Sequence, residues 1–99
     1  MVLLKELGKD LDNSYVVIRI DRDVRFIDEI KDKARTLDEI KIKAWGNAIN
    51  LAVRLALQVT QEVLQNFSIE CVEIGTMEDV EMKNGKVRPL SWMEIVLKK

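Results

Sequence analysis

Lys41-Ile42-Lys43-Ala44-Trp45-Gly46-Asn47-Ala48-Ile49 is the stretch on which the fold turns. Up to Trp45 the residues alternate. Ile40, Ile42 and Ala44 share one side; Glu39, Lys41, Lys43 and Trp45 share the other. That period of two predicts a half-buried strand over 39–45. Gly46 breaks it, and a helix opens from the Gly and runs to about Asn66. Ile49, Ala52, Val53, Ala56, Thr60, Val63 and Leu64 form one apolar stripe along this helix. Leu51, Leu55 and Val59 form a second. A helix lying on a sheet needs only one stripe. The second asks for another cover: a partner subunit in a symmetric interface is the expectation, and a helix packed between two parts of one chain is the alternative.

Upstream, Tyr15, Val16, Val17, Ile18 and Ile20 are aromatic or β-branched, and 14–20 reads as a strand. The run is nearly continuous, which points to a central strand covered on at least one face. Val24, Ile27, Ile30 and Ala34 recur at helical spacing, so a helix is expected over 24–35, capped by Asp21 or Asp23. Strand, helix and strand make a βαβ unit, with the two strands parallel. Residues 1–13 mix apolar and charged side chains with Gly8, Asp10, Asp12 and Asn13, and read as a flexible lead-in.

Downstream, the chain reads as one long hairpin, with strands over 69–82 and 87–98. Asn84-Gly85 suits a two-residue type I′ turn. That turn sets Lys83 opposite Lys86, Met82 opposite Val87, Glu81 opposite Arg88 and Val80 opposite Pro89. Pro89 has no N–H for a ladder, which places this part on an edge or in a projecting ribbon. The expected fold class is α/β, an α+β sandwich in the order β-α-β-α-β-β. It has a four-stranded mixed sheet, two helices on one face and a long terminal hairpin. Residues 14–99 form a single domain.

The composition narrows the function. The 16 basic and 17 acidic side chains leave a formal charge of −1, so no molecule-wide field draws in nucleic acid; such binding needs a local patch. There is no His, hence neither the commonest general base nor the commonest metal ligand. The lone Cys71 rules out an internal disulfide framework and suggests a reducing compartment. Gly8, Gly46, Gly75 and Gly85 stand too far apart for a phosphate loop. Neither a membrane span nor a secretion signal is visible, so a soluble cytoplasmic protein is expected. No constellation supports an enzyme, and no cofactor or metal is expected.

Three places can hold an anion. At the Gly46 turn the first N–H groups of the long helix are free, which suits phosphate. Lys43, Trp45 and Asn47 surround it. Trp45 can stack on an exposed base or simply cover an edge; the residues leave both readings open. Arg22, near the start of the first helix, sits between Asp21 and Asp23, which compete with a phosphate. Lys83, Lys86 and Arg88 crowd the hairpin tip. They serve either as edge protection or as a basic finger laid in a groove.

The stretch Ile42-Lys43-Ala44-Trp45-Gly46-Asn47-Ala48-Ile49-Asn50-Leu51-Ala52-Val53 resembles the Alba family, small dimeric chromatin and RNA-binding proteins best known from archaea. Val72-Glu73-Ile74-Gly75-Thr76, Asn84-Gly85 and Met93-Glu94-Ile95-Val96-Leu97-Lys98-Lys99 extend the likeness. The resemblance implies a homodimer, or a heterodimer with a relative, whose body holds a duplex while two hairpin arms reach along it. Where the family has Arg on both sides of the turn Gly, this chain has Trp45 and Asn47. The family's Lys pair at the first helix has only Arg22 to answer it. The hairpin cations carry over onto Lys83, Lys86 and Arg88. Binding of DNA or RNA with little sequence preference is therefore the expected function, chromosome-associated if the ligand is DNA. An acidic heterodimer partner, or a protein-interaction or regulatory module of the same fold, is the alternative.

Overall fold

The computed structural model describes residues 2–20 and 25–99. Five strands and two helices follow in order: β1 (Val2–Leu3), β2 (Tyr15–Ile18), α1 (Phe26–Ala34), β3 (Glu39–Trp45), α2 (Ala48–Gln58), β4 (Ser68–Glu81) and β5 (Val87–Lys98). They build one mixed sheet in the order β1-β4-β5-β3-β2. β2 and β3 are parallel, as the βαβ reading requires; β3 with β5 and β4 with β5 are antiparallel.

The alternation in β3 does what it foretold. Ile40, Ile42 and Ala44 are fully buried, while the residues between them stay half-exposed. Their neighbours Val16 and Ile18 on β2, and Ile95 and Leu97 on β5, continue the same face. Both helices pack there, through Phe26 and Ile30 of α1 and Ala48, Ala52, Leu55 and Ala56 of α2. The small residues on α2 let it lie close to the sheet, with the bulk supplied by the isoleucines beneath. Beyond Gln58 the helix widens into a π turn over Val59–Val63, with Leu64 N–H donating to the Val59 carbonyl at 2.7 Å. The Thr60 hydroxyl donates to the Ala56 carbonyl at 2.9 Å, a back-bond that loosens the regular ladder. The helix therefore ends at Val63, short of the expected Asn66.

Four expectations need correction. The sheet has five strands, because Val2 and Leu3, within the expected lead-in, pair with Val80 and Glu81 of β4. Leu7 is buried behind them. Gly8 then packs against Val17 of β2, and Arg19 donates to the Leu7 carbonyl, so this segment bridges the two outer strands of the sheet. Second, β2 is an edge strand. Its apolar run reflects cover from both sides, helices under Val16 and Ile18 and the bridging segment over Val17, rather than a central place. Third, the second stripe of α2 is largely covered within the chain: Leu55 and Val59 are buried and give no argument for a partner, while Leu51 is partly buried and lines an open groove with Phe26 and Ile27 of α1.

The fourth correction is the hairpin register. Asn84 does not take a positive φ; Gly85 does, at 83°. Gly85 N–H donates to the Met82 carbonyl at 3.0 Å, and Met82 N–H to the Lys86 carbonyl at 2.8 Å. The connection is thus a three-residue loop with Gly85 as its left-handed member. One more loop residue shifts the pairing to Glu81 with Val87 and Val80 with Arg88. The expected Glu81–Arg88 pair is not formed. A bulge between Met77 and Val80, with Asp79 at φ 56°, then restores pairing at Met77 and Leu90. Pro89 lies opposite that bulge, where no ladder donor is needed.

No helix among the described residues is long and apolar enough to cross a membrane. The expected caps Asp21 and Asp23 lie outside the described residues.

Candidate nucleic-acid interface

One backbone angle and two contacts fix the Gly46 turn. Gly46 takes φ 58°, which a residue with a Cβ adopts only under strain. Its N–H donates to the Ser91 carbonyl at 2.8 Å, tying the turn to β5. A Cβ there would stand 2.9 Å from Cδ1 of Leu90. The chain then enters α2 with Asn47 at the N-cap, exposed and making no side-chain capping bond.

A cavity of about 250 Å³ opens beside this turn. Trp45, Asn47, Met82, Lys83 and Leu90 form part of its wall, with Arg19 and Ile20 beyond them. The turn residues Trp45 and Asn47 thereby meet the hairpin's Lys83 at one place. Arg19 was not foreseen as part of a site. The only sequence signal for it is a cation following the β-branched run of β2.

Lys43 lies elsewhere. It projects from the sheet face opposite the helices, where its Nζ stands 3.4 Å from Glu94 Oε1. The same carboxylate oxygen accepts the Tyr15 hydroxyl at 2.9 Å. Lys43 also sits 3.8 Å above the centroid of the Trp92 ring and 5.7 Å from that of Trp45. Both partners of the ion pair have side chains only about 15% exposed (15% and 14%). Burial, with the Glu94 hydrogen bond and charge behind it, pushes the Tyr15 phenol up to about 12 from an ordinary 10.0. Lys43 is thus committed to a structural cluster, and its charge is already answered.

Lys86 and Arg88 are exposed on the outer part of the hairpin, and neither side chain has an ion pair among the described residues. Lys83 is exposed next to them in the loop. Arg22 lies outside the described residues. Of the seven residues singled out by the sequence, three therefore gather at the cavity and two more continue along the arm.

A different surface emerges on β4. Ile69, Val72 and Ile74 are paired with Leu97, Ile95 and Met93, the residues of β5 that face the helices. Yet they are 38%, 49% and 73% exposed. The helices cover β2, β3 and β5 but leave this strip open.

The order of elements, the mixed sheet and the hairpin have counterparts among solved structures. Alba from Thermoplasma volcanium superposes with a TM-score of 0.74 at 19% identity, covering 86% of this chain and 99% of that one. The fold is Alba-like. ALBA1 from Trypanosoma brucei matches with a TM-score of 0.69 at 20% identity, over 91% of this chain and 72% of that one. No family model matches the sequence. Likeness at this identity speaks for the Alba-like architecture alone, and what the residues do is argued from their geometry.

Proposed function

We propose that this chain binds DNA or RNA with little sequence preference, as a non-enzymatic protein of Alba-like fold. The observation that carries the reading is the run of exposed cations on the hairpin, Lys83, Lys86 and Arg88, beside the Gly46 turn and its helix N-terminus. Phosphates supply most sequence-independent affinity, and each contact releases counterions. Asn47 offers a hydrogen-bonding side chain at the same turn. Arg19 adds a cation that the sequence alone did not suggest. Lys43 contributes to the scaffold instead.

Two copies are expected to pair, as a homodimer or with a relative. The support is the open strip Ile69, Val72 and Ile74, a contiguous apolar face of the kind that marks an interaction site. Ile74→Lys should shift sedimentation toward the monomer without unfolding the chain; an unchanged profile would remove the strip from the interface. The same strip favours the second reading, a protein-interaction or regulatory module, for instance an acidic heterodimer partner. The cytoplasm is the compartment both readings imply, on the chromosome if DNA is the ligand.

Titrating duplex DNA and single-stranded RNA at low and moderate salt separates the readings. Nucleic-acid binding predicts a steep fall in affinity with salt. Lys86→Ala with Arg88→Ala should reduce the log–log slope by about two. Absence of binding at low salt would leave the interaction module.

A further inference from the structure

The cavity beside the Gly46 turn has more shape than a phosphate contact requires. Its wall is mostly apolar, formed by Leu4, Leu7, Ile20, Met82 and Leu90 with the Trp45 indole. Arg19 and Lys83 bring positive charge, and no acidic side chain is among the described residues that line it. An apolar interior with cationic walls suits a ligand with a flat, weakly polar body and an anionic end. Size agrees: an apolar cavity of about 150 Å³ already takes a benzene ring, and this one measures about 250 Å³.

A nucleotide has both required ends. The exposed cations also continue past the cavity, from Lys83 through the loop to Lys86 and Arg88, which suits a chain of phosphates better than an isolated small anion. We propose that the cavity receives one unpaired base of a bound single strand, with its phosphate at the mouth near Lys83, Arg19 and the start of α2. This rests on the nucleic-acid reading and sharpens it: the body of the protein selects unstacked nucleotides over perfect duplex. A base inside a duplex must first be extruded, at the cost of its stacking and pairing.

The test uses fluorescence anisotropy of the full chain with three probes at one salt concentration. These are a short single-stranded RNA, the same strand made of abasic sugars, and a perfect RNA duplex. The intact strand should bind about tenfold or more tighter than the abasic one, the scale on which aromatic stacking of one base acts. Met82→Trp fills the cavity without changing a charge. It should bring the intact strand down to the abasic level. Ile20→Trp, at a wall position already 61% exposed, is a second filling variant with little risk to folding. Equal affinity of the unmodified protein for intact and abasic strands would overturn the proposal. So would a preference for the intact strand that survives filling. Either result leaves the phosphate-binding reading standing. Failure of all three probes to bind at low salt would end both.

Discussion

Gly75→Ala tests how tightly the face opposite the helices is built. Gly75 pairs with Trp92 across β4 and β5, and the indole lies over it. A Cβ at Gly75 would stand 2.6, 2.7 and 2.8 Å from Cζ2, Cε2 and Nε1 of that ring. Carbon atoms settle at roughly 3.5–4.0 Å, so the ring must move by about 1 Å. It is not free to do so. Lys43 sits 3.8 Å above the ring centroid and is itself tied to Glu94. Overpacking of this kind costs about 1–3 kcal/mol, offset by about 0.5–1 kcal/mol for removing a Gly from a strand. The net expectation is a loss of about 1–2 kcal/mol, which lowers Tm by roughly 5–15 °C in a domain of this size. Thermal unfolding followed by circular dichroism measures it, at fixed protein concentration because any dimer makes Tm concentration-dependent. In a Trp92→Leu background the penalty should largely vanish, giving a coupling of about 1 kcal/mol or more. A Gly75→Ala protein that melts at or above the unmodified temperature refutes the reasoning. An equal penalty in both backgrounds does the same.

Tyr15 is the only tyrosine, so phenolate absorbance reports it alone. Its midpoint should fall near 12, and Glu94→Gln should lower it while burial keeps it above 10.0. Because the folded value lies above the unfolded one, Tyr15's contribution to stability is whole below about pH 10 and fades as pH rises toward 12; denaturant midpoints across that window check the sign. Lys43→Met removes the cation beside Glu94, leaving it the Tyr15 hydroxyl alone, and should cost about 1–3 kcal/mol in urea unfolding while leaving the salt slope of nucleic-acid binding unchanged. Lys86→Ala should do the reverse. Asp79 holds a left-handed conformation, so Asp79→Gly should stabilise by a few tenths to about 1 kcal/mol, read from the urea midpoint.

Local pattern carried the parts of the fold that local physics decides. The period of two in Glu39–Trp45 and the helical spacing around Ile27 and Ile30 were sufficient, because each element's buried side is written in its own residues. The misses all involve partners far along the chain. Val2 and Leu3 carry no periodicity, and only their pairing with Val80 and Glu81 makes them a strand. Leu55 and Val59 looked unpartnered because the core that buries them is assembled from distant parts of the chain, a tertiary fact. At the hairpin, Asn84-Gly85 fits a two-residue turn on local grounds, yet complete burial of Val80 accompanies the longer loop. Among the candidate site residues, Lys83, Lys86 and Arg88 were legible as exposed cations in a turn. Lys43 was not, since Glu94 and Trp92 reach it from a strand some fifty residues away.

The bridging segment has a practical bearing on how this protein is handled. Val2 leaves the fold alongside Val80, on the outer edge of the arm. Lys99, by contrast, is anchored by its N–H to the Asp38 carbonyl at 2.9 Å, by the start of β3 and far from the hairpin loop. An affinity tag or surface tether at the front of the chain would crowd the arm and corrupt any measurement of ligand capture. The same attachment placed after Lys99 leaves the arm unobstructed, and a fluorophore at each position would give a built-in ruler for the arm's reach.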